Sequence, residues 1–285
     1  MIVVTGATGH LGKLVVEGLL EKLPADQVVA AVRTPEKAAG LAERGVDVRR
    51  ADYADPESLV AAFKGADKVL LVSSSEVGQR VAQHQAVVDA AKQAGVGHLV
   101  YTSAPQATTS ALVLAPEHKA TEELIQASGL TATILRNNWY NENYLETIKQ
   151  AVATGSFAGS AGEGRVASAT RADYAAAAVA VLTGEGHEGK IYELAGDVAW
   201  SNAELAAEIG KATGRETTYA DLPADEHAKV LTQAGLPEPV VGMLVGIDAG
   251  IKDGLLAETT GDLRALIGRP STPIGVTVAE VAGTL

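Results

Sequence analysis

The sequence predicts an α/β fold: a doubly wound parallel sheet with helices on both faces and a small, mainly helical C-terminal lobe. Three observations carry this. Short apolar, β-branched runs alternate with helix-like stretches through the first half. The first run, Ile2-Val3-Val4-Thr5, leads into a glycine turn and then a helix pattern. Apolar residues make up 47% of 285 residues, enough to build a full core.

The elements follow in order. After the first strand and helix, Val28–Val32 reads as a second strand and Pro35–Arg44 as a helix with proline in its first turn. Val46–Arg50 is a third strand and Pro56–Lys64 a helix. Val69–Val72 is a buried strand ending in Ser73-Ser74-Ser75, and Gln79–Ala94 is a long helix stopped by Gly95. His98–Ser103 is the fifth strand, Pro116–Ser128 a helix stopped by Gly129, and Thr131–Leu135 the sixth strand. Gly155–Gly164, with four glycines, reads as a loop. Arg171–Leu182 is an alanine-rich helix and Lys190–Leu194 a seventh strand. Helices follow near 202–213, 224–234, 239–251 and 260–267. The expected division is a sheet domain over 1–140, rejoined by 165–196, and a lobe of 141–164 plus 197–285.

Composition narrows the function. With no cysteine, disulfides, thiolate catalysis and cysteine metal sites are excluded. A net charge of −12 disfavours a nucleic-acid partner, which needs a basic face. The first residues already form a strand, and no apolar run has membrane-span length, so a cytoplasmic protein with no membrane partner is expected. The six histidines show no metal spacing, and no metal is expected. There is no G-x-S-x-G elbow for hydrolase chemistry.

The turn Thr5-Gly6-Ala7-Thr8-Gly9-His10-Leu11-Gly12 is the strongest chemical signal. The spacing is G-x-x-G-x-x-G, and its strand–turn–helix context is the one expected of a dinucleotide site of Rossmann type; the competing reading is a plain strand-to-helix turn of another α/β protein. Gly6 permits the tight turn, Gly9 lets backbone approach a pyrophosphate, and Gly12 lets the helix pack on the strand. Thr8, His10 and Leu11 complete the loop, where helix N–H groups and the helix dipole favour phosphate. At the end of the second strand, where NAD sites often carry an acid for the ribose 2′-hydroxyl, stands Arg33, with Lys37 one turn on. A guanidinium there suits a 2′-phosphate, so NADPH is the expected cofactor. Tyr53 after the third strand is placed beside the adenine, and Ser73, Ser74 and Ser75 beside the cofactor on its nicotinamide-ribose side; an ordinary turn explains the serines equally well. Thr102 lies at the end of the fifth strand. Beyond the sixth strand, Asn137, Asn138, Trp139, Tyr140, Asn141, Asn143 and Tyr144 concentrate amides and aromatics in a chain only 4% aromatic. Amides can hold a carboxamide or carbonyl and an aromatic face can stack on a flat ligand. Asn137 and Tyr140 are the first candidates and Asn143 the next; the competing reading is an aromatic packing hinge.

The T-G-A-T-G-x-L-G start, Arg33, Leu71-Val72-Ser73-Ser74, Ser128-Gly129-Leu130 and Thr133–Asn137 together resemble the NmrA-like, atypical short-chain dehydrogenase/reductase group. The likeness runs nearly the full length. Ser73–Arg80, Ala167–Tyr174 and Tyr192–Asp197 look most like its bacterial NAD(P)H:quinone oxidoreductase branch and, more distantly, triphenylmethane dye reductases. The resemblance implies an NADPH-dependent, flavin-free reductase of a small quinone-like molecule; whether the chain forms a homodimer stays open. It also leaves open a non-catalytic NADP-binding redox sensor and a dye, azo or enone reductase. One departure matters. None of the seven tyrosines is followed by lysine at the fourth place, so the Tyr-x-x-x-Lys proton relay is missing. His118, with Lys119 adjacent, stands where the group often puts a lysine four residues before Glu122, and is a candidate donor to an oxyanion; a surface histidine is the competing reading. Hydride addition to a quinone gives an aromatic oxyanion like tyrosinate, whose conjugate acid has a pKa of about 10. Such an anion needs hydrogen bonds more than a strong acid.

Overall fold

A computed structural model describes residues 1–284. The chain forms two compact units. The first comprises Met1–Thr108, Pro116–Asn137 and Arg171–Leu194. Its elements begin with β1 (Ile2–Thr5), α1 (His10–Leu20), β2 (Val28–Val32), α2 (Ala39–Ala42), β3 (Asp47–Arg50) and α3 (Pro56–Phe63). They continue with β4 (Lys68–Leu71), α4 (Arg80–Ala94), β5 (His98–Ser103), α5 (Ala115–Ser128) and β6 (Ala132–Asn137).

In the second unit, α6 (Leu145–Thr154), β7 (Ser156–Gly159) and β8 (Arg165–Val166) follow. The chain then returns to the first unit as α7 (Arg171–Thr183) and β9 (Ile191–Leu194). Seven strands in the order β3-β2-β1-β4-β5-β6-β9, all parallel, make the predicted doubly wound sheet. β1, β2 and β5 are buried along their whole length, as the absence of polar alternation requires. Val3, Val29, Leu59, Phe63, Val69, Val87, Leu99 and Tyr101 form the core of one face. On the other, α1 packs on α7; Gly18 makes room for Val179, whose Cγ2 lies 3.0 Å from where a Cβ would stand. The strand order reverses between β1 and β4. That switch point opens a crevice at the carboxyl ends of the strands.

The second unit comprises Thr109–Ala115, Asn138–Thr170 and the chain from Ala195 onward. It adds β10 (Trp200–Ser201), α8 (Asn202–Thr213), β11 (Thr218–Asp221), α9 (Ala224–Gln233), α10 (Glu238–Lys252), α11 (Asp262–Ile267) and α12 (Ile274–Gly283). Its core gathers Ile148, Phe157, Trp200, Leu205, Ile247 and Val278. Ser201 starts α8 with a capping box: its hydroxyl accepts from the Glu204 amide, and the Glu204 carboxylate accepts from the Ser201 amide.

Three expectations change. Gly155–Gly164 is not a continuous loop, because β7 runs through it and pairs in parallel with β11. That partner lies some sixty residues on and leaves no local trace. Pro35–Arg44 is not one helix: a 3-10 turn over Pro35–Ala38 precedes the single turn of α2. Finally, α6 and α12 form where no helix was read, packed against each other and held by apolar partners remote in sequence. Among the described residues no helix is long and apolar enough to cross a membrane.

Gly12 is where the fold first constrains the site. A Cβ there would lie 2.3 Å from the Gly6 carbonyl oxygen and 3.0 Å from the Ala7 Cα. Gly12→Ala should therefore lower stability by about 1–3 kcal/mol, the range for overpacking. Gly40→Ala, where a Cβ meets nothing, should be neutral or slightly stabilising. Urea unfolding of both variants checks the contrast, and equal midpoints would contradict the close approach.

Candidate active site

The glycine turn lies at the end of β1, in the switch-point crevice. Gly6 has a φ of +58°, a left-handed conformation glycine adopts without strain. The Gly9 amide donates to the Gly6 carbonyl at 2.8 Å and closes the turn. Gly9 is also the N-cap of α1, and no side chain caps the helix. Thr8, Gly9 and His10 are exposed, while Leu11 and Gly12 are buried. The Leu11 side chain thus belongs to the core, and only its backbone can serve a ligand. A Cβ on Gly9 would stand 3.1 Å from the Gly6 oxygen, a cradle a side chain would crowd. An uncapped helix start with exposed small residues is a fitting seat for a pyrophosphate.

Arg33 follows β2 directly, at the same edge. It is 70% exposed and its Nη1 donates to Glu76 Oε1 at 3.2 Å. Tyr53 is half-buried: its hydroxyl donates to the Val72 carbonyl at 2.7 Å and lies 2.6 Å from Thr5 Oγ1. Burial pushes that hydroxyl well above the usual phenol range. Tyr53 therefore ties the ends of β1 and β4 together, and its hydroxyl is committed to the fold.

The serine run after β4 is built more elaborately than a turn requires. The Ser73 amide donates to Thr102 Oγ1 at 2.9 Å. Thr102 is buried, so it supports the loop from below through Ser73. The Ser74 amide donates to His84 Nε2 at 3.0 Å, and His84 Nδ1 faces Thr121 Oγ1 at 2.9 Å. Arg80 Nε donates to the Ser74 carbonyl, and its Nη1 pairs with Glu117 at 3.0 Å. Glu117 also accepts from the Gly78 amide. Thus α4 and α5 hold the β4–α4 loop at both ends. Sequence reading missed His84, Arg80 and Glu117. In sequence their only signal is the four-residue spacing of Arg80 and His84, which puts both on one face of α4; Glu117, on α5, carries none.

His118 is not a surface histidine, which corrects that reading. It is 5% exposed, and its Nδ1 lies 2.7 Å from the Tyr101 hydroxyl. Burial, with Arg80 and His84 nearby, pushes its pKa down to about 3, so it is neutral. It belongs to the polar layer under the sheet edge.

The segment after β6 divides in two. Asn137 is buried at the strand's last position in the first unit. Asn138 and Asn141 are structural parts of the second unit. Asn138 donates to the Leu256 carbonyl at 3.2 Å. Asn141, fully buried, donates to Thr277 Oγ1 at 3.1 Å and accepts from Ser168, which in turn accepts from the Trp200 indole. Tyr140 bridges to Ala169 and caps a 3-10 turn over Asn141–Tyr144, on which Asn143 is exposed.

A further residue escaped the sequence reading. Arg136, buried at the end of β6, pairs through Nη2 with Glu122 at 2.6 Å and through Nη1 with Glu193 at 2.8 Å. Ser103 also donates to Glu122, and the Gln106 amide to Glu193. The hydrogen bonds to Glu122 hold the guanidinium above its usual range despite its burial. This cluster joins the ends of β5, β6 and β9. An arginine closing an otherwise apolar strand, Thr133-Ile134-Leu135-Arg136, was its signal. Among the described residues no group of three or more acidic or histidine side chains could hold a metal ion.

Comparison with known proteins locates this architecture. The NmrA-like family model matches residues 1–250. Quinone oxidoreductase 2 of Escherichia coli (strain K12) is 50% identical over 281 residues, covering 99% of this chain and 98% of its own. The crystal structure of the E. coli NADPH-dependent quinone oxidoreductase QOR2 complexed with NADPH superposes with a TM-score of 0.96 at 49% identity, covering 99% of both chains. Triphenylmethane reductase of Citrobacter sp., complexed with NADP(H), superposes at 0.95 with 40% identity, covering 99% of this chain and all of that one.

The histidines under the loop predict a pH dependence. Burial, and then the Arg80 charge, pushes His84 down to about 3. The neutral form is also required by geometry, since Nε2 accepts the Ser74 N–H. A depressed folded pKa contributes stability that is complete above the unfolded value of 6.5 and is lost as pH falls toward 3. His98 is lowered in the same direction, mainly by burial. The carboxylates that are held low, Asp55, Glu188, Asp197 and Glu204, act only as pH falls through about 4 and below. Between pH 6.5 and about 5, unfolding free energy should therefore fall by up to roughly 1.4 kcal/mol per pH unit for each of His84 and His118. Denaturant titrations across that window check this. The double variant His84→Gln/His118→Gln should flatten most of the slope, and a flat parental profile would contradict it.

Proposed function

The chain belongs to the NmrA-like family, and from that premise we propose that it is an NADPH-dependent reductase of quinones or similarly flat, conjugated acceptors. The observation that carries the proposal is an uncapped, exposed glycine turn at the sheet's switch point with Arg33, not an acid, at the end of β2. The likeness to E. coli quinone oxidoreductase 2 over nearly the whole chain supports it.

When bound, NADPH supplies the hydride; the protein supplies position and hydrogen bonds. Gly6, Thr8, Gly9, His10 and the backbone of Leu11 and Gly12 would seat the pyrophosphate. Arg33 would pair with the 2′-phosphate. Ser73, Ser74 and Ser75, held by Thr102 and His84, would form the wall beside the dinucleotide, with the Tyr53 ring next to the adenine. Asn137, at the end of β6, is proposed as an amide partner at the reacting end. Tyr140 and Asn143, three and six residues further along the chain, are proposed as further donors. Asn138 and Asn141 are set aside because their amides hold the second unit together.

The acceptor class follows from the acid the chain lacks. An unactivated ketone would become an alkoxide that must be protonated as it forms. A quinone becomes an aromatic oxyanion with a conjugate acid near a pKa of about 10, which amide and hydroxyl donors can stabilise and water can protonate later. His118, neutral and engaged with Tyr101, is left out of this role.

NADPH oxidation, followed by its near-ultraviolet absorbance against a panel of quinones, dyes and ketones, tests the reading. Quinones should be reduced and simple ketones should not. Asn143→Ala should lower the quinone rate by roughly 10²–10³ with NADPH affinity nearly unchanged, the loss typical of one oxyanion donor. Tight NADPH binding without turnover of any acceptor would overturn the proposal in favour of a redox sensor. A parental rate in Asn143→Ala would remove that residue from the reaction centre.

A further inference from the structure

We propose that Glu76 is a specificity-determining residue: a fixed carboxylate that holds Arg33 and competes for it with the 2′-phosphate of the dinucleotide. The inference rests on the reading above, in which Arg33 receives that phosphate.

The sheet order supplies the first part of the argument. β1 lies between β2 and β4. Arg33 leaves the end of β2, and Glu76 stands in the loop that follows β4. The 3.2 Å bond between them therefore joins the ends of two strands that are not neighbours. It spans the end of β1, the strand that carries the glycine turn. A dinucleotide seated on that turn must meet this pair.

The second part is that Glu76 is aimed. Its Oε2 accepts from Gln83 Nε2 at 2.8 Å, from the first turn of α4. Its amide donates to Ser74 Oγ at 3.1 Å. The loop carrying it is fixed at one end by His84 and Arg80 on Ser74, and at the other by Glu117 on the Gly78 amide. The carboxylate is thus held from its own side whether or not Arg33 is present.

The consequence is electrostatic. Arg33 is 70% exposed and Glu76 50%, so the pair is weak and a phosphate dianion can displace it. Displacement still has a cost. Arg33 must give up one partner, and Glu76, retained by Gln83, leaves a negative charge near the phosphate. The chain then prefers the phosphorylated dinucleotide less strongly than Arg33 alone would dictate.

Glu76→Gln removes the charge and keeps the side chain's size. Calorimetric titration of NADP⁺ and NAD⁺ into the parent, Glu76→Gln, Arg33→Gln and the double variant tests the proposal without turnover. Glu76→Gln should bind NADP⁺ about three- to tenfold more tightly, with NAD⁺ affinity within roughly twofold of the parent. The gain should shrink at high salt, where exposed charges are screened, and should fall in the Arg33→Gln background to the part due to the direct repulsion between Glu76 and the phosphate. Unchanged or weaker NADP⁺ binding in Glu76→Gln would overturn the proposal. So would equal gains for both dinucleotides, which would mean a loosened loop. If Arg33→Gln alone keeps parental NADP⁺ affinity, the phosphate is not at Arg33, and both that placement and this proposal fail.

Discussion

Where a Cβ on Gly12 would stand, the Gly6 carbonyl oxygen is only 2.3 Å away, so the first turn of α1 closes onto the end of β1 because no side chain intervenes. That approach fixes the direction of α1 and leaves its first amides at the mouth of the crevice. Gly6 in its left-handed conformation and Gly9 without a capping side chain complete the same device. The helix N-terminus carries partial positive charge and N–H groups with no intrahelical acceptor. A phosphate supplies what the protein withholds. The placement of Arg33 and of the serine loop has functional meaning only relative to this turn.

The sheet edge around the turn is supported by buried polar layers. Tyr53 and Thr5 tie β1 to β4. His84, Thr121, Arg80 and Glu117 hold the β4–α4 loop. Arg136, with Glu122 and Glu193, ties β5, β6 and β9. Such groups are costly to bury and are tolerated only when their hydrogen bonds are satisfied. They occur where the strands end and backbone groups would otherwise lack partners. Their effect is to make the carboxyl edge stiff without filling it with apolar side chains, which suits a surface that must receive a polar cofactor.

Much of this was legible in the residues. Period and punctuation located the strands of the main sheet: β1, β2, β4, β5 and β6 are largely buried apolar runs, the partly exposed edge strands β3 and β9 were placed by their position between helix patterns, and Gly95 and Gly129 end their helices as left-handed caps. The glycine turn and Arg33 were legible because backbone geometry and charge at those positions depend on local sequence. What escaped depends on distant partners. β7 exists because β11 lies beside it, and α12 because α6 and α8 bury its apolar face. His118 read as a candidate donor or a surface residue, since nothing in its own helix indicates that Tyr101 lies beneath it. The amides after β6 looked alike in sequence, yet Asn138 and Asn141 are bound into the second unit's framework, with acceptors more than a hundred residues away.

The central claim is that a dinucleotide's phosphates are received by the backbone of the Gly6–Gly12 turn. Amide hydrogen exchange with and without NADP⁺ measures this directly. The account predicts that the largest slowing on binding falls on the amides of the turn and the first residues of α1, with a second zone in the β4–α4 loop. Binding that leaves exchange in Ala7–Leu11 unchanged would contradict it.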